Sequence, residues 1–290
     1  MSARLRAMAP WAVGAALLGL WHASVKLTGT HVFPTPGQVL AGLGELAREG
    51  QLGRSMRDSL ARVLSGYGLA VLLGLPLGLL LGMHAPSDRM AGPLLQVLRP
   101  ISPLAWSPVA LLLFGVNEAA SRFLILLAAL FPLVAYTREA VRRVPAHYLR
   151  AGRNLGLGEA ALVRRVLLPA LLPSVLTGLR LTLGIAWLVV VAAEMIGLDS
   201  GLGHLILDAR NAGKRYDLVL GAMLVIGAIG LGVLQYLSSF LVSKFSSNAA
   251  AAMFGHPGCS SMAMPTSTKR YDWQATRSFG SLVITPPSEQ

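Results

Sequence analysis

Few residues in this 290-residue chain have side chains suited to chemistry, and their types limit what they can do. Glu194 is the one acid embedded in the long apolar run Val175 to Leu198. An acid in hydrocarbon is costly, so it serves either as a satisfied structural tie or as a gate on a path. The six histidines (His22, His31, His84, His147, His204, His256) are scattered one per segment, and Cys259 is the single cysteine. That excludes an intrachain disulfide and a Cys-based metal site. No phosphate loop of the form Gly-x4-Gly-Lys-Ser/Thr is present, nor His-Glu-x-x-His, nor Gly-x-Ser-x-Gly. The expectation is a chain that is not an enzyme, with no catalytic residue, no metal site and no cofactor of its own.

The densest remaining pattern is the basic stretch Arg138 to Pro173, with Arg138, Arg142, Arg143, Arg150, Arg153, Arg164 and Arg165. It lies between two segments apolar enough to cross a bilayer. Connections beyond about 12–15 residues usually carry a function. Gly156 and Gly158 punctuate two short helical stretches, Tyr148 to Leu155 and Glu159 to Leu168. Both glycines are expected to use backbone conformations that other residues reach only at a cost. Leu162, Val163, Val166 and Leu167 share one face at helical spacing. Pro169 and Pro173 are expected to end the second helix, leaving a knob that fits a groove on another protein.

The elements that hold this stretch are membrane spans. Hydrophobic residues make up 54% of the chain and charged residues 13%, against about 25% charged in soluble domains. The formal charge of +12 is explained by basic residues beside spans, not by nucleic-acid binding. Spans of about 20 apolar residues are expected at Pro10–Leu27, Ser59–Met83, Pro93–Val116, Phe123–Tyr136, Val175–Leu198 and Leu218–Val242. The first resembles a signal peptide but lacks a clear cleavage site, and reads as a retained span. In the second, Gly66, Ala70, Gly74, Gly78 and Gly82 recur every four residues and give a small-residue packing face. The third is interrupted by Pro93, Pro100, Pro103 and Pro108, with Arg99 inside it. Irregular backbone at membrane depth must be buried in protein or face a water-filled cavity.

The fold class is therefore all-α and polytopic, with six transmembrane helices. The expected organisation is 1–58 as first span plus an amphipathic surface connection, 59–242 as a five-span core with the loop 138–173, and 243–290 as a disordered tail. With Arg4 and Arg6 before the first span, the positive-inside rule places both termini and the long loop in the cytoplasm.

The long loop resembles the signature of ABC importer permeases, roughly Glu-Ala-Ala, three residues, Gly, about nine residues, then Ile-x-Leu-Pro. Gly156 takes the Gly position, Val166-Leu167-Leu168-Pro169 the last block, and Arg150-Ala151-Gly152 the degenerate first block. PISPLAWSPVALLLFG, LPALLPSVLTGLRLTLGIAWLVVVAAEMIG and SGLGHLI are similar to the subgroup importing nitrate, sulfonates, taurine, cyanate, bicarbonate or thiamine-precursor pyrimidines. The resemblance runs from Phe33 to Phe240.

It implies a type I importer permease fold in the bacterial inner membrane, and a permease homodimer. It also implies two cytoplasmic ATP-binding subunits that carry ATP and Mg, and a periplasmic solute-binding protein. Coupling to the ATPase would fall to Arg150, Ala151, Gly152, Gly156, Gly158, Glu159, Leu162, Val163, Val166, Leu168 and Pro169. The translocation path would be lined near Pro103, Trp106, Pro108, Trp187 and Glu194. The wording of the fifth span points to a small organic sulfonate such as taurine, with nitrate, cyanate or bicarbonate as the alternative. A rival of another class, a stand-alone secondary transporter, would need internal repeats and coupling charges.

The orientation is testable with single cysteines in a chain lacking Cys259. Thr35→Cys is expected to react with an impermeant thiol reagent in intact cells, and Ala160→Cys to stay protected until the membrane is opened. The opposite pattern would invert the topology.

Overall fold

The computed structural model describes residues 3–28, 33–211 and 213–254, and among these residues the regular structure is helical throughout. The first helix, α1 (Ala3–Thr28), is followed by α2 (Pro36–Arg48), α3 (Gln51–Met83) and α4 (Ala85–Leu98). A 3-10 turn (Pro103–Trp106) leads into α5 (Ser107–Phe114), then α6 (Glu118–Arg143) and α7 (Ala146–Asn154). The next helix starts as α8 (Glu159–Leu162), passes through a π turn (Val163–Leu167) and continues as α9 (Leu168–Gly197). Last come α10 (Leu202–Asn211) and α11 (Tyr216–Phe254).

Among the described residues four helices are long and apolar enough to span a bilayer: α3, α6, the continuous helix Glu159–Gly197, and Tyr216–Val233 within α11. The expected third span is not one helix. α4 and the segment Pro103–Phe114 meet at an angle of 91°. The first candidate is weaker still, because its apolar part, Ala12–Leu27, falls short of a full span. Six continuous spans are thus replaced by four, plus one broken span and one short apolar helix.

Several expected boundaries move outward for one reason. An apolar window detects only the part of a helix inside hydrocarbon, whereas helices continue into the polar zone. α6 runs on to Arg143, and the helix ahead of α9 starts at Glu159, so the connection expected over 138–173 shrinks to the residues between them. Pro76, Pro132 and Pro173 all lie inside helices without ending them. The tail boundary also shifts: α11 continues past Val242 to Phe254. The rest of the tail lies outside the described residues.

The core is the seam between α3 and α6. An added Cβ on Gly66 would lie 2.9 Å from Ile125, one on Gly74 3.1 Å from Leu133, and one on Gly82 2.5 Å from Val141. The contacts on α6 repeat every four residues just as the glycines do, so the two faces run in register. Ala70, between them, is fully buried. α9 packs on this pair through Leu183, Ala186, Trp187 and Val190. The Tyr67 hydroxyl on α3 donates to the Leu179 carbonyl at 2.7 Å.

α2 behaves as the expected amphipathic surface helix. Val39 and Leu46 are buried while Leu40 points out. Arg215 holds it in place with two bonds to the Glu45 carboxylate, at 3.0 and 2.8 Å. Hydrogen bonding to Arg215, and then its charge, hold the Glu45 carboxyl below its usual range.

The seam predicts a contrast between two glycines of α3. A Cβ at Gly78 would sit 2.5 Å from Thr137 Cβ and 2.9 Å from the Val134 carbonyl. Gly68 has open space around it. Gly78→Val is expected to cost about 1–3 kcal/mol through overpacking, and Gly68→Ala to be neutral or slightly stabilising. Thermal unfolding in detergent, followed by size exclusion, separates the two. Equal melting temperatures would mean the seam is not tightly packed.

Candidate functional site

Glu194 lies three residues from the end of α9 and is completely buried. Arg62, in α3, is 2% exposed and donates to Glu194 Oε1 at 2.9 Å. Glu194 Oε2 accepts from the Ser59 hydroxyl and from the Gly203 amide, each at 2.9 Å. Ser59 Oγ in turn accepts from the Leu202 amide at 2.9 Å. The remaining reach of Arg62 goes to the turn between α9 and α10: to the Ser200 carbonyl at 2.8 Å, and to the Ser200 hydroxyl. Glu118, at the start of α6, stands 3.6 Å away. Among the described residues Arg62 Nε has no hydrogen-bond partner.

The local backbone explains why this cluster closes here. Gly201 has φ 108°, a conformation that favours glycine, and a Cβ there would run into the Glu194 carboxyl. A Cβ on Gly203 would strike the Val191 carbonyl. The sequence Ser-Gly-Leu-Gly therefore lets the chain fold back tightly over a carboxylate and aim two amides at its surroundings. One buried acid joins α3, α9 and the first turn of α10. Removing either partner of such a pair leaves an uncompensated buried charge, which costs about 3–5 kcal/mol.

At the opposite end of the bundle the basic connection is also ordered. α7 ends in a Schellman arrangement: the Leu157 amide donates to the Gly152 carbonyl at 3.2 Å, and the Gly156 amide to the Arg153 carbonyl at 2.9 Å. Gly156 takes φ 76°, as that motif requires. Gly158 does not need to be glycine by conformation; its φ is −66° and ψ 160°. Gly152 needs to be small, since a Cβ would collide with Leu162 Cδ1. Arg153 and Glu159 bridge the turn, Nε to Oε1, at 3.2 Å.

This corrects the expected knob. Leu162 and Leu167 are 3% exposed and are used inside the chain, Leu162 against Gly152 and Leu167 with Ala140, Val141 and Leu171. They are not free for a partner. Pro169 follows directly on the π turn inside the continuous helix Glu159–Gly197, and the helix runs through both prolines without ending. What remains outward is Tyr148, Arg150, Ala151, Leu155, Gly156, Gly158, Glu159, Leu168 and Pro169, with Val163 and Val166 half-buried.

Residues 74–249, more than half of the chain, match the family described as the binding-protein-dependent transport system inner membrane component. The chain belongs to this family. It is 39% identical over 175 residues to the bicarbonate transport system permease protein CmpB of Synechococcus elongatus, covering 60% of this chain and 62% of that one. It is 37% identical over 186 residues to the nitrate import permease protein NrtB of Leptolyngbya laminosa, covering 64% and 66%. The chain thus spans less than two thirds of the length of these relatives. A solved structure of the MetNI methionine ABC transporter in inward-facing conformations superposes with a TM-score of 0.57 at 19% identity, covering 65% of this chain and 93% of that one. The fold is that of type I importer permeases, and the protein is a multi-pass membrane protein.

Within this permease fold, the residues expected along a path separate into two groups. Pro103 and Trp106 are half-buried and Pro108 is exposed, all on the broken span. Trp187 instead sits in the core, its indole N–H donating to the Ile226 carbonyl at 3.2 Å and its ring against Gly230. Trp187 borders an apolar hollow with Leu60, Val63, Leu183 and Gly230, whereas Glu194 is fully buried. The Trp187 indole N–H and the Glu194 carboxylate, with its three hydrogen-bonding neighbours Ser59, Arg62 and Gly203, are both satisfied inside the bundle.

Two ties were missed in the sequence. Arg62 lies early in the second span, and the need of Glu194 for a cation was the signal that pointed to it. Asp88 accepts from Arg138 at 2.9 Å and from Arg142 at 3.0 Å, joining α4 to the end of α6. Arg138 lies within α6 and not in the expected loop, which is what brings it onto Asp88.

A double-mutant cycle tests the Arg62–Glu194 pair. Arg62→Met and Glu194→Met are each expected to lower stability by about 3–5 kcal/mol. Arg62→Met combined with Glu194→Met is expected to recover part of that loss, because no lone charge stays buried. Additive losses in thermal unfolding would mean the two side chains do not act as a pair.

Proposed function

We propose that this chain is the membrane-spanning subunit of an ATP-driven importer whose substrate is a small inorganic oxyanion, nitrate or bicarbonate. The observation that carries the reading is the likeness to permeases named for those two anions, at 39% and 37% identity. The sulfonate or taurine reading gives way, because it rested only on the wording of the fifth span. The family match also speaks against a stand-alone secondary transporter, since the family is defined by dependence on a binding protein.

In this reading the chain binds no nucleotide. ATP and Mg reside on two ATP-binding subunits, a solute-binding protein delivers the anion, and a second permease copy completes the path. The Arg-rich end with α7 faces the cytoplasm, the Glu194 end faces the periplasm, and both termini are cytoplasmic. The core is the region 59–242.

Coupling follows from the geometry of one element. The ATPase pushes on α7 and its Gly156 turn through exposed Arg150, Ala151, Leu155 and Glu159. Gly152 lets α7 seat directly on Leu162. The helix that begins there continues unbroken for 39 residues, Glu159–Gly197, about 58 Å at 1.5 Å per residue. A shift at α7 is therefore delivered to the Glu194 cluster at the other face. Val163–Leu167, wound as a π turn, gives this lever one point of local adjustment.

Gly152→Val and Gly156→Val test this on separate grounds, one by collision and the other by strain at positive φ. Both are expected to reach the membrane at near-normal levels, because the α3–α6 seam is untouched. Nitrate or bicarbonate uptake and substrate-stimulated ATP hydrolysis by the complex are expected to fall at least about tenfold, the loss that about 1.4 kcal/mol of misplacement produces. Full uptake by both variants, with the ATPase still bound, would remove this segment from coupling.

A further inference from the structure

Arg99 is the one charged residue between Arg89 and Glu118. It caps α4 at the point where the span breaks, and the next helical residue, Pro103, starts a segment turned by 91°. Its guanidinium carbon lies 5.9 Å from the centre of the Tyr136 ring. Tyr136 is seven residues short of the end of α6, about 10 Å inside that helix end at 1.5 Å per residue. Arg99 is thus carried inward from the basic rim of the bundle.

No carboxylate neutralises it among the described residues. Asp88, the acid on its own helix, is taken by Arg138 and Arg142. Glu118 and Glu194 are engaged by Arg62 and Arg122. The Arg99 side chain is exposed, as is Ser102 three residues on. The backbone around it is irregular, with Pro100 and Pro103 lacking an N–H. An unpaired cation beside open backbone cannot face acyl chains; it faces water or a path.

We infer that Arg99 is the contact in the translocation path that selects a planar oxyanion. This rests on the oxyanion-importer reading above and names the residue it left open. The chemistry favours Arg specifically. A guanidinium presents parallel N–H donors that match two oxygens of one trigonal anion, a geometry that an ammonium cannot offer. Nitrate and bicarbonate are both trigonal and singly charged. The Tyr136 ring holds the guanidinium plane from one side by cation–π attraction and leaves the fork free. The elbow's prolines fix its place without competing donors.

The test uses the complete permease–ATPase complex. Saturable retention of labelled nitrate, and separately of labelled bicarbonate, is measured on the purified complex without binding protein, alongside uptake in cells. Arg99→Gln is expected to weaken retention of the transported anion about ten- to hundredfold, the loss of a charge-assisted pair of hydrogen bonds, and to reduce uptake in step. Arg99→Lys keeps the charge and loses the fork, and is expected to recover only part of both. Membrane level and co-purification of the ATPase show that each variant assembles. Wild-type retention and uptake in assembled Arg99→Gln would overturn the inference while leaving the importer reading intact. Full function in Arg99→Lys would also overturn it, showing a charge that only meets lipid headgroups. A wild-type complex that neither retains nor imports either anion would remove the oxyanion reading and this contact with it.

Discussion

Helices in lipid gain nothing from burying apolar surface against one another, because the tails they leave are equally apolar. What holds this bundle is the closeness with which α3 and α6 approach. Gly66, Gly74, Gly78 and Gly82 leave room for Ile125, Leu133, Thr137 and Val141 to touch backbone. Dispersion is weak per atom pair and large only when many pairs sit near contact distance. The seam achieves that from Gly66 to Gly82, about 4.4 turns at 3.6 residues per turn. α9 then has a fixed surface to lie on, and α10 and α2 have a fixed α9 and α11 to cover. Without the seam there is no reference against which a moving element could move.

The charged ties lie at the two ends of this seam, and they differ in kind. Arg62 and Glu194 are both sealed from solvent, with every oxygen of the acid occupied. Such a pair adds little net stability against an apolar replacement, yet it permits one arrangement only. It fixes the register of α9 against α3 and the path of the turn Ser200–Gly203. Asp88 with Arg138 and Arg142 is partly open to solvent. Open pairs are worth about 0–1 kcal/mol and exchange readily. The bundle is therefore locked at the Glu194 end and loosely pinned at the α7 end. That asymmetry suits a lever driven from α7.

How much of this was visible in the residues depends on range. The period of four in the α3 glycines was legible, because a helix face is a local property, and the partner face on α6 repaid it. α2 was legible for the same reason. The break in the third span was legible as irregularity, since four prolines and one Arg in an apolar run contradict a smooth helix, but its angle was not. The extent of the loop was misread because charged residues at helix ends were counted as coil. For Glu194 residue type showed that the side chain needs partners and left a satisfied tie and a gate both open, but not whether those partners come from solvent or from another helix. Leu162 carried the same ambiguity. Its helical spacing was right, and the surface it buries against, Gly152, lies in the same chain.

The broken span is where the physics of the fold meets transport. The other spans run on as helices through Pro76, Pro132 and Pro173, so they lose single backbone hydrogen bonds and not the helix, as hydrocarbon demands. Between Leu98 and Pro103 the chain gives that up, and two of the residues there have no amide to offer. A break of this kind persists only beside protein or water. α6 and α9 cover one side through Trp106, Leu124 and Val189, while Arg99 and Ser102 remain open on the other. In the proposed importer, a second permease copy and the water of a path between the copies would meet this open side. Irregular backbone, an unpaired cation and exposed prolines then describe one requirement: a polar wall inside a membrane, built by the one segment that does not need to meet lipid.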